Sequence, residues 1–75
     1  MTEYEARACV GQSVCTTVGI KQPNGPFLPA GSTFLLEIIN QQTIGLSWQS
    51  PRGRLTMELP KSALSHFKTR AAWLA

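Results

Sequence analysis

The sequence predicts a mainly β (or α+β) fold: a small antiparallel β-meander or SH3-like barrel of about three to five strands with a C-terminal helix or helical turn. Three observations carry this expectation. Apolar residues recur at every second position on each side of Ser50-Pro51-Arg52-Gly53. A further alternating run fills residues 33–39, and beyond Pro60 the apolar spacing lengthens to threes and fours.

Residues 1–8 are polar and read as a short helical turn or a frayed end. Residues 8–20 shift to Cys, Val, Thr and Gly, with Val10, Val14, Val18 and Ile20 spread evenly, which favours one bent strand or two short ones broken at Gly11. Residues 21–32 hold three prolines and two glycines and form a loop. Within it, Pro23-Asn24-Gly25 is a turn signal, and Leu28-Pro29-Ala30-Gly31 reads as the bend that delivers the chain into the next strand. A loop this long in so short a chain is either functional or packed over an open end of the sheet.

Along residues 33–39, Phe34, Leu36 and Ile38 alternate, leaving Leu35, Glu37 and Ile39 on the other face. Joined to the next strand through Asn40-Gln41-Gln42, this run sets Phe34 near Trp48, Leu36 near Leu46 and Ile38 near Ile44. The opposite register would bury Glu37 without a partner. Something should cover Leu35 and Ile39: the 8–20 segment, a second subunit or a ligand.

The hairpin over residues 43–59 is the most strongly patterned element. Pairing Gln49 with Arg54 sets Trp48 opposite Leu55, Leu46 opposite Met57 and Ile44 opposite Leu59, so every apolar residue meets an apolar partner. A slip of one residue would scramble both faces. Pro51 suits the second position of a type I turn, and Gly53 can take the positive φ that closes the loop. After Pro60, Leu64, Phe67, Ala71 and Leu74 follow a helical period, with Ser62 available as a cap. The segment reads either as an amphipathic helix of roughly three turns or as a single 3₁₀ turn followed by a last strand.

A chain of 75 residues is expected to make one domain, residues 1–75, and to bury only about 60% of the surface it exposes unfolded. It has 43% hydrophobic and 15% charged residues, which excludes a disordered segment. No apolar run reaches the ~18 residues of a membrane span, and acids rather than bases open the chain, so the expectation is a soluble cytoplasmic protein without membrane association. Cys9 and Cys15 flank Gly11 and, in an extended segment, stand roughly 20 Å apart, beyond disulfide reach. They read as small buried reduced residues.

Catalytic signals are poor, and the chain is expected not to be an enzyme. His66 is the sole histidine and shares no motif with a nucleophile or carboxylate, and the glycines match neither phosphate-binding pattern. Two cysteines and one histidine do not supply a zinc site, so neither a metal nor a small-molecule cofactor is expected. Glu37 and Glu58 should flank Gly45 on one sheet face as a solvated pair.

The formal net charge is +3, and its distribution is uneven. Arg52, Arg54, Lys61, Lys68 and Arg70 face one acid, Glu58, over residues 52–70, and this raises the odds of an anionic partner. The first expectation is therefore a non-catalytic module that binds nucleic acid, DNA foremost, through a basic β-hairpin. Arg52 and Arg54 project from a two-stranded ribbon with Gln49, Thr56 and Ser47 on its outer face, while Lys61, Lys68 and Arg70 add backbone contacts. Three antiparallel strands followed by a helix, over residues 33–74, resemble the small sheet-plus-helix DNA-binding modules of phage-type integrase arms. The likeness is architectural and transfers no residues.

The alternative is an SH3-like protein-interaction or adaptor module, with a homodimer as one form of it. SH3-like barrels also set a long early loop beside a short strand connection and bind in the groove between. In this reading Phe27, Leu35, Ile39 and Trp73 make the contact surface.

Overall fold

The computed structural model describes residues 1–22, 25 and 27–74. In chain order these form α1 (Glu3–Ala8), β1 (Ser13–Thr16), β2 (Thr33–Ile39), β3 (Thr43–Ser50), β4 (Gly53–Pro60), a 3₁₀ helix (Lys61–His66), β5 (Phe67–Thr69) and α2 (Arg70–Leu74). The strands build one antiparallel sheet in the order β4-β3-β2-β1-β5, so the fold is mainly β with a short C-terminal helix. The turn expected at Pro23-Asn24-Gly25 rests on Pro23 and Asn24, which lie outside the described residues.

The β3/β4 hairpin takes the register that alternation dictates. Trp48 faces Leu55, Leu46 faces Met57, Ile44 faces Leu59 and Gln49 faces Arg54. Its loop closes on Gly53, at φ 115°, a value that L side chains rarely adopt. The Ser50 hydroxyl fastens the loop by donating to the Gly53 carbonyl at 2.8 Å and accepting from the Arg52 amide at 3.2 Å.

On the other side of β3 the expected pairing holds only in part. Phe34 meets Trp48 edge to face at 5.5 Å between ring centres, and Leu36 faces Leu46. Beyond that point β2 takes one extra residue at Glu37, so Ile38 faces Gly45 and Ile39 faces Ile44. The bulge reverses the expected faces: Ile39 packs against the core, whereas Ile38 is 51% exposed on the outer face. Ile38 fits there because Gly45 has no side chain; a Cβ on Gly45 would come within 2.8 Å of Ile38 Cγ2. Leu55, also expected in the core, is 44% exposed near the hairpin tip.

The C-terminal segment is the 3₁₀ turn with a last strand. Leu64 and Phe67 are buried, but Ala71 and Leu74, the far half of the expected helical stripe, are exposed. The strand wins because β5 satisfies the free edge of β1, with Val14 opposite Thr69, Cys15 opposite Lys68 and Thr16 opposite Phe67. Only residues 70–74 are α-helical, so the helix on which the integrase-arm likeness depends does not form.

The N-terminal turn is a capped helix. Thr2 Oγ1 accepts from the Glu5 amide at 3.1 Å while Glu5 Oε1 accepts from the Thr2 amide at 3.0 Å. This plants Ala6 and Cys9 in a core shared by Val14, Leu28, Phe34, Leu36, Ile44, Leu46, Leu59, Leu64 and Phe67. Cys9 and Cys15 are both buried free thiols. Among the described residues no helix is long and apolar enough to cross a membrane.

Candidate functional site

The outer face of the sheet, away from the core, carries an open depression. It is a groove of about 450 Å³ lined by Ser13, Thr33, Phe34, Leu35, Ser47, Trp48, Gln49 and Arg54. Its floor follows from the ladder: Ser13 lies opposite Leu35 and Leu35 opposite Ser47, so β1, β2 and β3 each give one residue to a row. At the β1 end, the Arg70 guanidinium donates to Thr33 Oγ1 at 3.0 Å and brings the start of α2 to the rim.

At the β4 end an ion cluster forms the wall. Arg54 pairs with Glu37, and both converge on Ser47. The Ser47 hydroxyl donates to Glu37 Oε1 at 2.6 Å and accepts from Arg54 Nη2 at 3.0 Å. The bulge at Glu37 and the two-residue phase of β3 and β4 bring these three side chains together. Ser47 is 1% exposed, so its hydroxyl is fully used inside the protein.

The five bases expected to act together do not share one surface. Arg52 stands exposed at the hairpin tip and Arg54 is held by Glu37. Lys61 Nζ pairs with Glu3 Oε1 at 2.9 Å. Lys68 is exposed on β5 and Arg70 begins α2, at the far end of the strand order from Arg52. Gln49 lines the groove, whereas Thr56 lines a separate depression of about 370 Å³ with Glu37, Ile38, Gly45 and Glu58. Glu58 faces Gly45 as expected, but the bulge puts Ile38 in the place expected for Glu37. Glu37 pairs with Arg54 and Ser47 and so does not form a solvated pair with Glu58 across Gly45.

Of the apolar set, Leu35 is half-buried in the groove floor. Trp73 is 41% exposed with its ring against Gly31, and Phe27 is 62% exposed with its ring against Gly19. Ile39 is turned to the core by the bulge and is removed from this surface. Glu37 was legible only as a solvated acid. The signal for its role is Leu35-Leu36-Glu37-Ile38-Ile39 itself, where apolar pairs on both sides of one charge fit no single strand phase.

Two carboxylates titrate below the ordinary glutamate value of 4.5. Glu3 is lowered by hydrogen bonds from Lys61 and Arg7, and Glu5 by the amide and then the hydroxyl of Thr2. A depressed carboxylate stabilises the fold above its unfolded value, and that contribution is lost as pH falls through the folded value. Acidification from about pH 6 to about pH 3 is therefore expected to loosen α1 before the sheet. Amide exchange by NMR checks this: residues 3–8 should lose protection first, and simultaneous loss in β3 would refute it.

Among the described residues, no group of three or more His, Cys, Asp or Glu side chains is placed to hold a metal ion. His66 is exposed, and its carbonyl accepts from the Thr17 amide at 2.7 Å. Comparison with known proteins returns no matching family model, no matching curated protein and no matching solved structure.

Proposed function

We propose that the chain is a small non-catalytic protein-binding module of SH3-like layout, whose partner lies in the outer-face groove over Leu35. The observation that carries this reading is the use of the hairpin's charge. Arg54 and Ser47, two of the groups a nucleic acid would need, are committed to Glu37, while Leu35, Gln49 and Ser13 remain accessible in the groove. A phosphate approaching Arg54 would also meet the Glu37 carboxylate beside it.

The connections support the layout. The 17–32 loop folds back on itself through the Ile20 and Leu28 backbones at 2.7 and 2.8 Å, as the long loop of an SH3-like barrel does. A 3₁₀ turn precedes the last strand, and that strand pairs with the first. In this reading Leu35 receives an apolar side chain, Gln49 and Ser13 bond a peptide backbone, and Trp73 and Phe27 are outlying apolar contacts. Exclusion of water over Leu35 would supply the affinity, with the polar wall setting orientation.

The test is a displayed peptide library selected on the immobilised protein, with an oligonucleotide titration beside it. Selected peptides are expected to lose at least ~10-fold in affinity on Leu35→Asp and to change little with salt. A nucleic-acid complex resting on about four phosphates would instead weaken with a log-log salt slope of roughly −3 to −4. Loss of that complex in Arg52→Ala/Arg54→Ala, with no peptide selected, would replace the proposed reading by the basic-ribbon one.

A further inference from the structure

We propose that the exposed edge of β4 is a self-complementary strand that pairs antiparallel with β4 of a second copy, about a twofold axis at Thr56. Among the described residues β4 ends the strand order and pairs only with β3, so its other edge is open. The Lys61 amide donates to the Gln42 carbonyl at 2.8 Å, which fixes the alternation along the hairpin. Counting back by twos, the amides of Leu59, Met57 and Leu55 face β3, and those of Glu58, Thr56 and Arg54 face outward.

Those three outward positions read the same from either direction once charge is considered. With Thr56 opposite its own copy, each Arg54 lies opposite a Glu58 and each Glu58 opposite an Arg54. Glu58 is exposed and makes no ion pair with a described residue in the single chain, so the second copy supplies its counter-charge. Arg54, with its side chain 54% exposed, keeps Glu37 on one side and takes Glu58 of the second copy on the other. On the inner face the same register sets Leu55, 44% exposed, against Met57.

Sliding the strands by two residues removes both Arg54/Glu58 pairs. In one direction it brings Arg52 opposite Glu58 instead, but the Arg52 amide is already bonded to Ser50 Oγ and cannot extend the ladder. Sliding by four sets like charges against each other. The ladder is also bounded. The next outward position, Pro60, has no N–H, and the Arg52 amide facing it already donates to Ser50 Oγ. About six backbone hydrogen bonds would form, two at each facing pair. So short a ladder gives weak association, on the order of 100 μM. This pairing shares Arg54 with the wall of the groove but uses none of Leu35, Ser13 or Gln49, so its failure is distinguishable from failure of the proposed peptide binding.

Sedimentation velocity on the whole chain, from about 10 μM to about 1 mM, tests it. The wild type is expected to move from monomer to dimer across that range. Thr56→Pro removes the central outward N–H, which an edge strand tolerates, and should weaken association at least ~10-fold while thermal melting of the monomer changes little. Glu58→Arg should do the same, and mixing Glu58→Arg with Arg54→Glu should restore a dimer because the charges then match across the edge. A wild type that stays monomeric at 1 mM overturns the proposal. So does a folded Thr56→Pro protein that dimerises as the wild type does; if that variant does not fold, failure of Glu58→Arg to weaken the dimer overturns it.

Discussion

Phe67→Ala is expected to remove a large share of the protein's stability at 25 °C. Phe67 is 1% exposed and stands edge to face with Phe34 at 6.4 Å, and Phe34 in turn meets Trp48 at 5.5 Å. Truncating such a ring removes its burial and leaves a cavity, which costs about 3–5 kcal/mol. A chain of this length has a stability of roughly 0.05–0.15 kcal/mol per residue, or about 4–11 kcal/mol in all, so the loss consumes much of it. β5 is three residues long and also closes the edge of β1, so its detachment would expose Val14 and Cys15 as well. Urea unfolding followed by tryptophan fluorescence measures the effect as a large fall in midpoint at unchanged slope. Leu74→Ala is the informative partner: Leu74 is 68% exposed, and its replacement should change stability by less than ~0.5 kcal/mol. Equal costs for the two would restore the amphipathic helix and remove β5.

That contrast also marks where the fold was legible in the sequence. Residues 43–59 were readable to the individual pair, because Ile44, Leu46, Trp48, Leu55, Met57 and Leu59 repeat at period two about one turn. The segment after Pro60 offered two readings, since Leu64, Phe67, Ala71 and Leu74 satisfy a helical period whether or not a helix forms. The choice between them depended on an edge of β1 some 50 residues away, and local spacing cannot register a long-range pairing. Thr2-Glu3-Tyr4-Glu5 was a readable capping box, and its pattern was the missed evidence for α1.

The candidate site was less legible for the same kind of reason. Leu35, Gln49 and Ser47 could be assigned to one sheet face from alternation alone. Their joining into a groove required Glu37 to step out of phase and Arg54 to turn back across Ser47, which are choices of side-chain pairing rather than of period. A net charge counted along the chain treats Arg54 and Lys61 as free. In the folded protein Glu37 and Glu3 have already taken them, so a basic composition became a less basic surface.

Gly31→Val should cost about 2–3 kcal/mol, lowering the melting temperature by roughly 8–24 °C. Two separate effects add at this position. Gly31 sits at φ 85°, a left-handed backbone that a β-branched residue resists, and a Cβ there would come within 3.1 Å of Trp73 Cζ2. Gly11 separates them, because its φ of 88° is nearly the same and a Cβ added there meets nothing within 4 Å. Gly11→Val therefore reports the backbone strain alone, and the excess at Gly31 reports displacement of Trp73. In a Trp73→Ala background that excess should vanish, making the two valine substitutions equal in cost within ~0.5 kcal/mol. The functional consequence follows from the chain's path: Trp73 and Arg70 belong to the same short helix, and Arg70 holds Thr33 at the groove rim. A valine at position 31 that tilts α2 should weaken peptide binding over Leu35 even in the fraction that stays folded, whereas Gly11→Val should leave the affinity of folded protein unchanged. If both variants bind alike, α2 carries no part of the groove, and the site contracts to Leu35, Ser13 and Gln49.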